Sequence, residues 1–222
     1  MNCNGDIITA KIICIEGSDG TGKATQAKKL VEHLKKDGYV VSTMSFPRYD
    51  TPTGKKILEY LDGKFGNPVK MDPLKAAVFY YNDRKAALPE IKALSKSSDF
   101  LILDRYKYSN FAYQSAKIKD ENKRLEILKR LQDLEKDIPE ADLVILLKVP
   151  IEITQKMLEK EKKKDMHEND IEFLKRTNEI YDYLCKENKN WIAIDCMKDK
   201  KLMSIEEIHE KVYEAVKKFF IN

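Results

Sequence analysis

Gly17-Ser-Asp-Gly-Thr-Gly-Lys23 is the stretch of this sequence that decides the fold. It fits the pattern G-x-x-x-x-G-K, follows a β-branched run at residues 11–15 and precedes a helical pattern at residues 24–36. Where a strand leads through a glycine-rich loop into a helix, backbone N–H groups and the helix N-terminus form a cradle for phosphate groups. The stretch therefore predicts a phosphate-binding loop, and the alternative is a glycine-rich turn without a ligand.

The pattern departs from its usual form at the position after the lysine. A Ser or Thr hydroxyl normally binds Mg²⁺ there, and this chain has Ala24, whose methyl group is no metal ligand. Three possibilities remain open. Thr25 serves as the ligand, carboxylates and water hold the ion, or the loop is degenerate. In the second case Asp104, at the end of a predicted strand, would act through water.

Outward from the loop, apolar runs alternate with longer amphipathic stretches. The predicted strands lie at residues 11–15, 39–45, 100–103, 143–147 and 191–194, and the predicted helices at 24–36, 73–94, 124–134, 151–163, 170–185 and 205–220. This alternation predicts an α/β fold with about five strands in a mainly parallel sheet and helices on both faces. Ligands of such sheets bind at the carboxyl ends of the strands.

Length and composition narrow the class of protein. The chain has 222 residues, which favours one large domain, and its net charge of +4 does not predict a nucleic-acid partner. The apolar run at residues 143–147 is far shorter than the ~20 residues of a membrane helix. Residues 1–10 carry no signal-peptide pattern, and the four cysteines have no metal-ligand spacing. We expect a cytoplasmic protein without membrane contact.

Four further stretches matter together with the loop. They are Phe46-Pro-Arg-Tyr49, Asn82-Asp-Arg84, Asp104-Arg-Tyr106 continuing to Gln114, and a lysine cluster before Asp165-Met-His-Glu168. In this order and spacing the chain resembles the thymidylate kinase family from about residue 11 to the C-terminal helix. The D-R-Y-x-x-S-x-x-A-Y part is the most specific.

The resemblance implies an activity and an organisation. It implies the P-loop NTPase fold in one nucleoside monophosphate kinase domain at residues 11–222, after an N-terminal extension at 1–10, with a small lid at about 158–170. It further implies phosphoryl transfer from ATP, with Mg²⁺, to dTMP, giving dTDP and ADP, in a homodimer. The alternatives are a kinase for dUMP or a broader set of deoxynucleotides, or a non-catalytic P-loop protein.

The resemblance also implies a role for each of several residues in the site. The ATP-binding residues would be Gly17, Ser18, Asp19, Gly20, Thr21, Gly22, Lys23, Ala24 and Thr25. Lys23 would contact the β- and γ-phosphates, and Asp19 would accept a hydrogen bond from the 3′-hydroxyl of the acceptor sugar. Arg105 would grip the acceptor phosphate, for which its planar fork is suited. The alternative for Arg105 is a structural ion pair with Asp104 or another acid.

The rest of the acceptor site is implied in the same way. Phe46, Arg48 and Tyr49 would line the pocket. Tyr80 and Arg84, one helical turn apart, would stack on the base and hydrogen-bond its edge, with Asn110 as a further base contact. Tyr113 would lie beneath the sugar and exclude a 2′-hydroxyl.

The lid would complete the site. Because the loop has Gly20 where some relatives carry a cation, the lid is expected to supply it, from Lys162, Lys163 or Lys164. His167 falls where some relatives place a tyrosine near the acceptor. The alternative for the lysines is a solvated helix surface, and His167 is equally compatible with an exposed position.

Overall fold

The fold is built on one parallel sheet. A computed structural model describes residues 8–161 and 171–221, without the side chains of 159–161. Its strands are β1 (Lys11–Glu16), β2 (Val41–Ser45), β3 (Phe100–Asp104), β4 (Leu143–Lys148), β5 (Trp191–Asp195), β6 (Met197–Lys198) and β7 (Lys201–Leu202). The sheet order is β2-β3-β1-β4-β5 with every pairing parallel, which confirms the predicted fold class.

Helices cover both faces of this sheet. They are α1 (Lys23–Lys36), α2 (Pro52–Leu61), α3 (Pro73–Lys96), α4 (Lys107–Ser115), α5 (Glu121–Leu134), α6 (Ile151–Glu161), α7 (Ile171–Glu187) and α8 (Ile205–Phe220). Alternate strand residues point to opposite faces. Ile12 and Cys14 pack with the core beneath α3, α4, α5 and α7, whereas Ile13 and Ile15 pack with the core beneath α1 and α8.

Three elements were absent from the list of predicted strands and helices: α2, α4 and the β6–β7 hairpin. Helix α2 begins with Thr51 as its N-cap, whose hydroxyl accepts from the Gly54 N–H at 3.1 Å, and with Pro52 at its first position. That pair is a recognised start signal for a helix. The β6–β7 hairpin turns through Asp199 and Lys200, both with positive φ. Strands of two residues are too short to show a pattern.

The start of the described chain is tied to α3. The Thr9 and Ala10 N–H groups donate to the Ser95 hydroxyl at 2.7 and 2.9 Å, and Ala10 is buried. Ordered packing thus begins before residue 11. Within the described residues no helix is long and apolar enough to cross a membrane.

The topology brings two loops together. Strands β1 and β3 are neighbours, with Ile15 opposite Asp104 in the register. The glycine-rich loop leaves the carboxyl end of β1, and the Asp104-Arg105-Tyr106 turn leaves the carboxyl end of β3. Both therefore open onto the same edge of the sheet.

Candidate functional site

The loop after β1 is shaped by glycines. Gly17 has φ 146°, and a Cβ there would lie 2.8 Å from the Leu147 carbonyl oxygen and 2.8 Å from the Thr21 hydroxyl. Gly22, with φ 83°, is the N-cap of α1 and provides no side chain to cap the helix. The first N–H groups of α1 are thus left for an anion, as a phosphate-binding loop requires.

Lys23 is a buried cation at the start of α1. Its Nζ donates to the Ser18 carbonyl oxygen at 2.6 Å and to the Thr21 hydroxyl at 3.5 Å, both uncharged groups. Burial, and then the nearby Arg105 guanidinium, lower the pKa of Lys23 to about 8. A phosphate anion bound beside this ammonium would favour its protonated form and so raise its pKa again.

Gly20 explains why the loop itself carries no further cation. Its φ is 76°, and a Cβ would lie 3.0 Å from the Thr154 carbonyl oxygen and 3.2 Å from Leu158 Cγ, both on α6. Any side chain at this position would need α6 to give way by a few tenths of an ångström and would be strained by the positive φ.

Glu16, the last residue of β1, caps α4. Its fully buried carboxylate accepts from the Tyr106 N–H at 2.9 Å, the Ser109 N–H at 3.2 Å, the Ser109 hydroxyl at 2.7 Å and the Tyr181 hydroxyl at 3.0 Å. The N-cap of α4, Tyr106, supplies no side-chain cap of its own. A carboxylate suits the positive end of a helix, so Glu16 fixes the start of α4 relative to the phosphate loop.

Arg105 lies between the two loops. Its backbone has φ 62°, a conformation uncommon for non-glycine residues and typical of functional turns. The guanidinium forms an ion pair with Asp19 and donates to the Ser109 hydroxyl at 3.2 Å. Burial opposes the charge, but the Asp19 carboxylate, together with Tyr113, Tyr181 and Glu16, more than offsets it and raises the pKa of Arg105. The ion pair considered for Arg105 thus forms with Asp19.

Tyr113 completes this group. Its hydroxyl donates to Asp19 Oδ2 at 2.6 Å and accepts from the Asp19 N–H at 3.0 Å. The Arg105 guanidinium carbon lies 5.7 Å from the Tyr113 ring centre. Burial, and then the Asp19 charge, raise the pKa of Tyr113, so its hydroxyl stays protonated and donates.

Asp104 fits a role in holding a hydrated metal ion. It is half-buried, and its Oδ1 is a buried oxygen without a hydrogen-bond partner. Burial raises the pKa of its carboxyl, and the charges of Lys23 and Arg105 offset only part of that rise. Mg²⁺ is usually bound by one or two carboxylates together with waters and substrate phosphates. The unpartnered Oδ1 of Asp104, which lies near Lys23, is a suitable oxygen for such an ion. Ala24 and Thr25 are both exposed on the first turn of α1.

An open cleft of about 210 Å³ extends from Arg105. It is lined by Asp19, Phe46, Pro47, Tyr49, Leu61, Tyr80, Arg84, Arg105, Tyr106, Ser109, Asn110, Tyr113 and Gln114. Eight of the residues expected for an acceptor site are therefore brought together. Tyr106 and Gln114 belong to the quoted D-R-Y stretch but were given no role, although both carry a buried polar atom without a partner.

The far end of the cleft contains a buried charge network. Arg84 Nε and Nη2 donate to Glu135 at 2.7 and 2.6 Å, and Asn110 Nδ2 donates to Glu135 Oε1 at 2.8 Å. Glu135 and Glu16 are both fully buried, and neither was singled out from the sequence. An isolated Glu after a helix gives no local signal of burial.

Some expected site residues lie elsewhere. Arg48 does not line the cleft, because its Nε pairs with Asp83 Oδ1 and its Nη1 with Glu90 Oε2, at 3.2 and 3.3 Å. The expected lid residues Lys162, Lys163, Lys164 and His167 lie outside the described residues.

Comparison with known proteins identifies the family. The family model described as thymidylate kinase matches residues 15–212. The chain belongs to the thymidylate kinase family. It is 30% identical over 194 residues to the thymidylate kinase of Mycobacterium tuberculosis strain H37Rv, covering 82% of this chain and 90% of that one. It is 33% identical over 209 residues to the probable thymidylate kinase of Thermococcus onnurineus, covering 92% and 96%.

The fold agrees with that of a solved thymidylate kinase. The Candida albicans enzyme matches with a TM-score of 0.74 at 23% identity, covering 95% of this chain and 92% of that chain. Family membership confirms the predicted kinase activity, phosphorylation of dTMP in nucleotide biosynthesis. The two alternative functions gain no support.

Removing the Glu16 carboxylate should destabilise the thymidylate kinase fold. In Glu16→Ala, two backbone N–H groups and two hydroxyls lose a buried acceptor, so we expect the free energy of unfolding to fall by roughly 2–4 kcal/mol. Glu16→Gln keeps one acceptor oxygen for the two N–H groups and should lose clearly less. Urea denaturation measures both, and wild-type stability in Glu16→Ala would contradict the capping role.

The lowered pKa of Lys23 predicts a pH dependence of ATP binding. Phosphates bind the charged ammonium preferentially, so affinity should be constant well below pH 8 and fall above it. Between pH 7 and pH 9 we expect the Kd to rise by about tenfold. Calorimetric titration with EDTA present measures this without metal. Lys23→Arg stays charged over this range and should bind with pH-independent affinity, and an equal slope in both proteins would refute the assignment.

Proposed function

We propose that phosphoryl transfer takes place at the edge of the sheet where β1 and β3 end, with ATP on the phosphate loop and dTMP in the adjoining cleft. The observation that carries this proposal is the position of two cations, of which Lys23 is buried and Arg105 is partly exposed. Lys23 follows β1, Arg105 follows β3, and they are near enough for Arg105 to lower the pKa of Lys23. Joining two polyanions requires such paired cations, because unit charges 4 Å apart repel by about 4 kcal/mol at an effective dielectric near 20.

Each cation would hold one of the two reactants. Lys23 and the N–H groups of α1 bind the β- and γ-phosphates of ATP, in a loop formed by residues 17–25. Arg105 binds the acceptor phosphate with its fork of N–H donors. The acceptor is already an oxyanion, so no general base is needed, and catalysis consists of positioning and charge neutralisation.

The sugar and the base of dTMP would follow along the cleft from Arg105. Asp19 accepts from the 3′-hydroxyl, and Tyr113 lies under the sugar. Tyr80 stacks on the base, while Arg84 and Asn110 hydrogen-bond its edge. Support comes from the lining of one cleft by all five residues. Phe46 and Tyr49 line the same cleft.

Mg²⁺ is proposed as the metal that accompanies ATP. Asp104 would hold it through water, with Thr25 as a further candidate ligand. When bound, the ion supplies positive charge to the transferring phosphoryl group. The catalytic cation that Gly20 leaves no room for would come from Lys162, Lys163 or Lys164, and His167 would contact the acceptor, in a lid at about residues 158–170.

We further propose one kinase domain at residues 11–222 and a cytoplasmic homodimer. Unpaired Cys14, Cys185 and Cys196 support a reducing compartment. Exposed Val78 on α3 supports an interface on that helix. The apolar side chains of α4, such as Phe111, are buried within the chain and leave no apolar face there for a second copy.

ADP release with ATP and Mg²⁺ tests the proposed reaction. We expect the fastest release with dTMP, slower release with dUMP, dCMP, dGMP and UMP, and little without an acceptor. The preference follows from a base pocket lined by Tyr80, Arg84 and Asn110. A stronger response to another monophosphate would overturn the pocket assignment, and acceptor-independent release would overturn the phosphoryl transfer itself.

Restoring a hydroxyl at residue 24 tests how the metal is held. If Asp104 holds Mg²⁺ through water, Ala24→Ser adds a direct ligand and should lower the Mg²⁺ concentration that gives half the maximal rate. Thr25→Val is the matched variant. A raised Mg²⁺ requirement in Thr25→Val, with no change in Ala24→Ser, would assign the metal to Thr25 instead.

A further inference from the structure

The base end of the cleft is organised around one buried carboxylate. Glu135 directly follows α5 and is fully buried, between α3 and α4. It receives three hydrogen bonds, two from Arg84 and one from Asn110, at 2.6–2.8 Å. Arg84 and Asn110 are themselves only 3% exposed, and both line the cleft, which Glu135 does not.

We infer that Glu135 is a specificity-determining positioning residue, which fixes the hydrogen-bonding pattern that Arg84 and Asn110 present to the base. It acts through these two side chains and does not touch the substrate. The inference rests on the proposed function, since it takes this end of the cleft to be where the acceptor base binds.

The orientation of the Asn110 carboxamide follows from its neighbours. Its Nδ2 faces Glu135 Oε1 at 2.8 Å and the Ala77 carbonyl oxygen at 3.2 Å. A carboxylate and a carbonyl only accept hydrogen bonds, so the NH₂ group must point toward them. Asn110 Oδ1 is thereby directed away, and it is a buried acceptor without a partner.

Arg84 is oriented by the same carboxylate. Nε and Nη2 are both engaged by Glu135, and within the described residues Nη1 makes no hydrogen bond. Of these two side chains, the polar atoms that Glu135 leaves unpaired are one acceptor, Asn110 Oδ1, and one charged donor, Arg84 Nη1. A buried acceptor is costly to leave unpaired, so the ligand is expected to bring an N–H group to it.

The edge of the acceptor base must match this pattern. Thymine and uracil carry a ring N–H next to a carbonyl oxygen, which suits Asn110 Oδ1 and Arg84 Nη1. Cytosine has an unprotonated ring nitrogen and an amino group at these positions. It would place a lone pair against Asn110 Oδ1 and a donor against Arg84. The arrangement held by Glu135 thus selects dTMP over dCMP.

Glu135→Gln tests this inference. The variant keeps the size of the side chain but replaces one acceptor oxygen with a donor. Arg84 and Asn110 then compete for one acceptor oxygen, and the orientation of the Asn110 carboxamide is held mainly by its longer bond to the Ala77 carbonyl oxygen, at 3.2 Å. We expect the ratio of kcat/KM for dTMP to that for dCMP to fall by about tenfold or more. The KM for ATP should stay near the wild-type value, because Glu135 is remote from Lys23. An unchanged dTMP-to-dCMP ratio, with both rates lowered equally or not at all, would overturn the inference.

Glu140→Gln is the matched control. Glu140 belongs to the same connection after α5 and binds Lys107 and Tyr108, but it does not line the cleft. In Glu140→Gln, the ratio of kcat/KM for dTMP to that for dCMP should equal the wild-type ratio. A ratio lowered as much as in Glu135→Gln would overturn the assignment to Glu135. If the wild-type protein itself showed no preference for dTMP over dCMP, that result would instead refute the proposed function. The two failures are therefore distinguishable.

A measurement on wild-type chain covers the case in which Glu135→Gln does not fold. The side-chain ¹⁵N–¹H₂ signals of Asn110, assigned by their loss in Asn110→Ser, should be protected from solvent exchange both without and with dTMP. Donation to Glu135 and Ala77 in both states gives this result. Exchange protection that appears only when dTMP binds would show the NH₂ group turned toward the ligand and would overturn the inference.

Discussion

The hydrogen bonds to the Glu16 carboxylate join the two halves of this site. Glu16 ends β1 immediately before the phosphate loop, and it accepts from the backbone at the start of α4, immediately after Arg105. A buried carboxylate at a helix N-terminus satisfies N–H groups that would otherwise lack partners, and it is stabilised there by the helix dipole. The position of Arg105 relative to Lys23 is therefore held by this carboxylate together with the pairing of β1 and β3.

This constraint has an electrostatic consequence. Lys23 and Arg105 are held near each other, Lys23 is buried, and its hydrogen-bond partners are uncharged groups. Keeping cations in such a place is unfavourable without anions. Asp19 offsets part of that cost by pairing with Arg105. Phosphates bound at the proposed site would offset the remainder.

A second buried glutamate has the same kind of role at the far end of the cleft. Glu16 orders the backbone at the start of α4, whereas Glu135 orders the side chains of Arg84 and Asn110. Both carboxylates use their ability only to accept hydrogen bonds, and each leaves its neighbours a single arrangement. Arg48 belongs to a third such pairing, with Asp83, which turns it from the cleft and anchors the chain before α2.

Local sequence determined the five-stranded α/β fold and the phosphate loop, because hydrophobic periodicity and short motifs act over a few neighbouring residues. Most of the cleft-lining residues were predicted through the resemblance to the thymidylate kinase family. Helix α2 could also have been predicted, since Thr51 and Pro52 carry its start signal. The short β6–β7 hairpin could not. Only the tertiary structure decided that Glu16 caps α4, that Arg105 pairs with Asp19 and that Glu135 holds Arg84 and Asn110. These contacts join residues between 25 and 93 positions apart. Burial and charge pairing at such separations depend on how β1, β3 and the helices pack, and no spacing in the sequence encodes that packing.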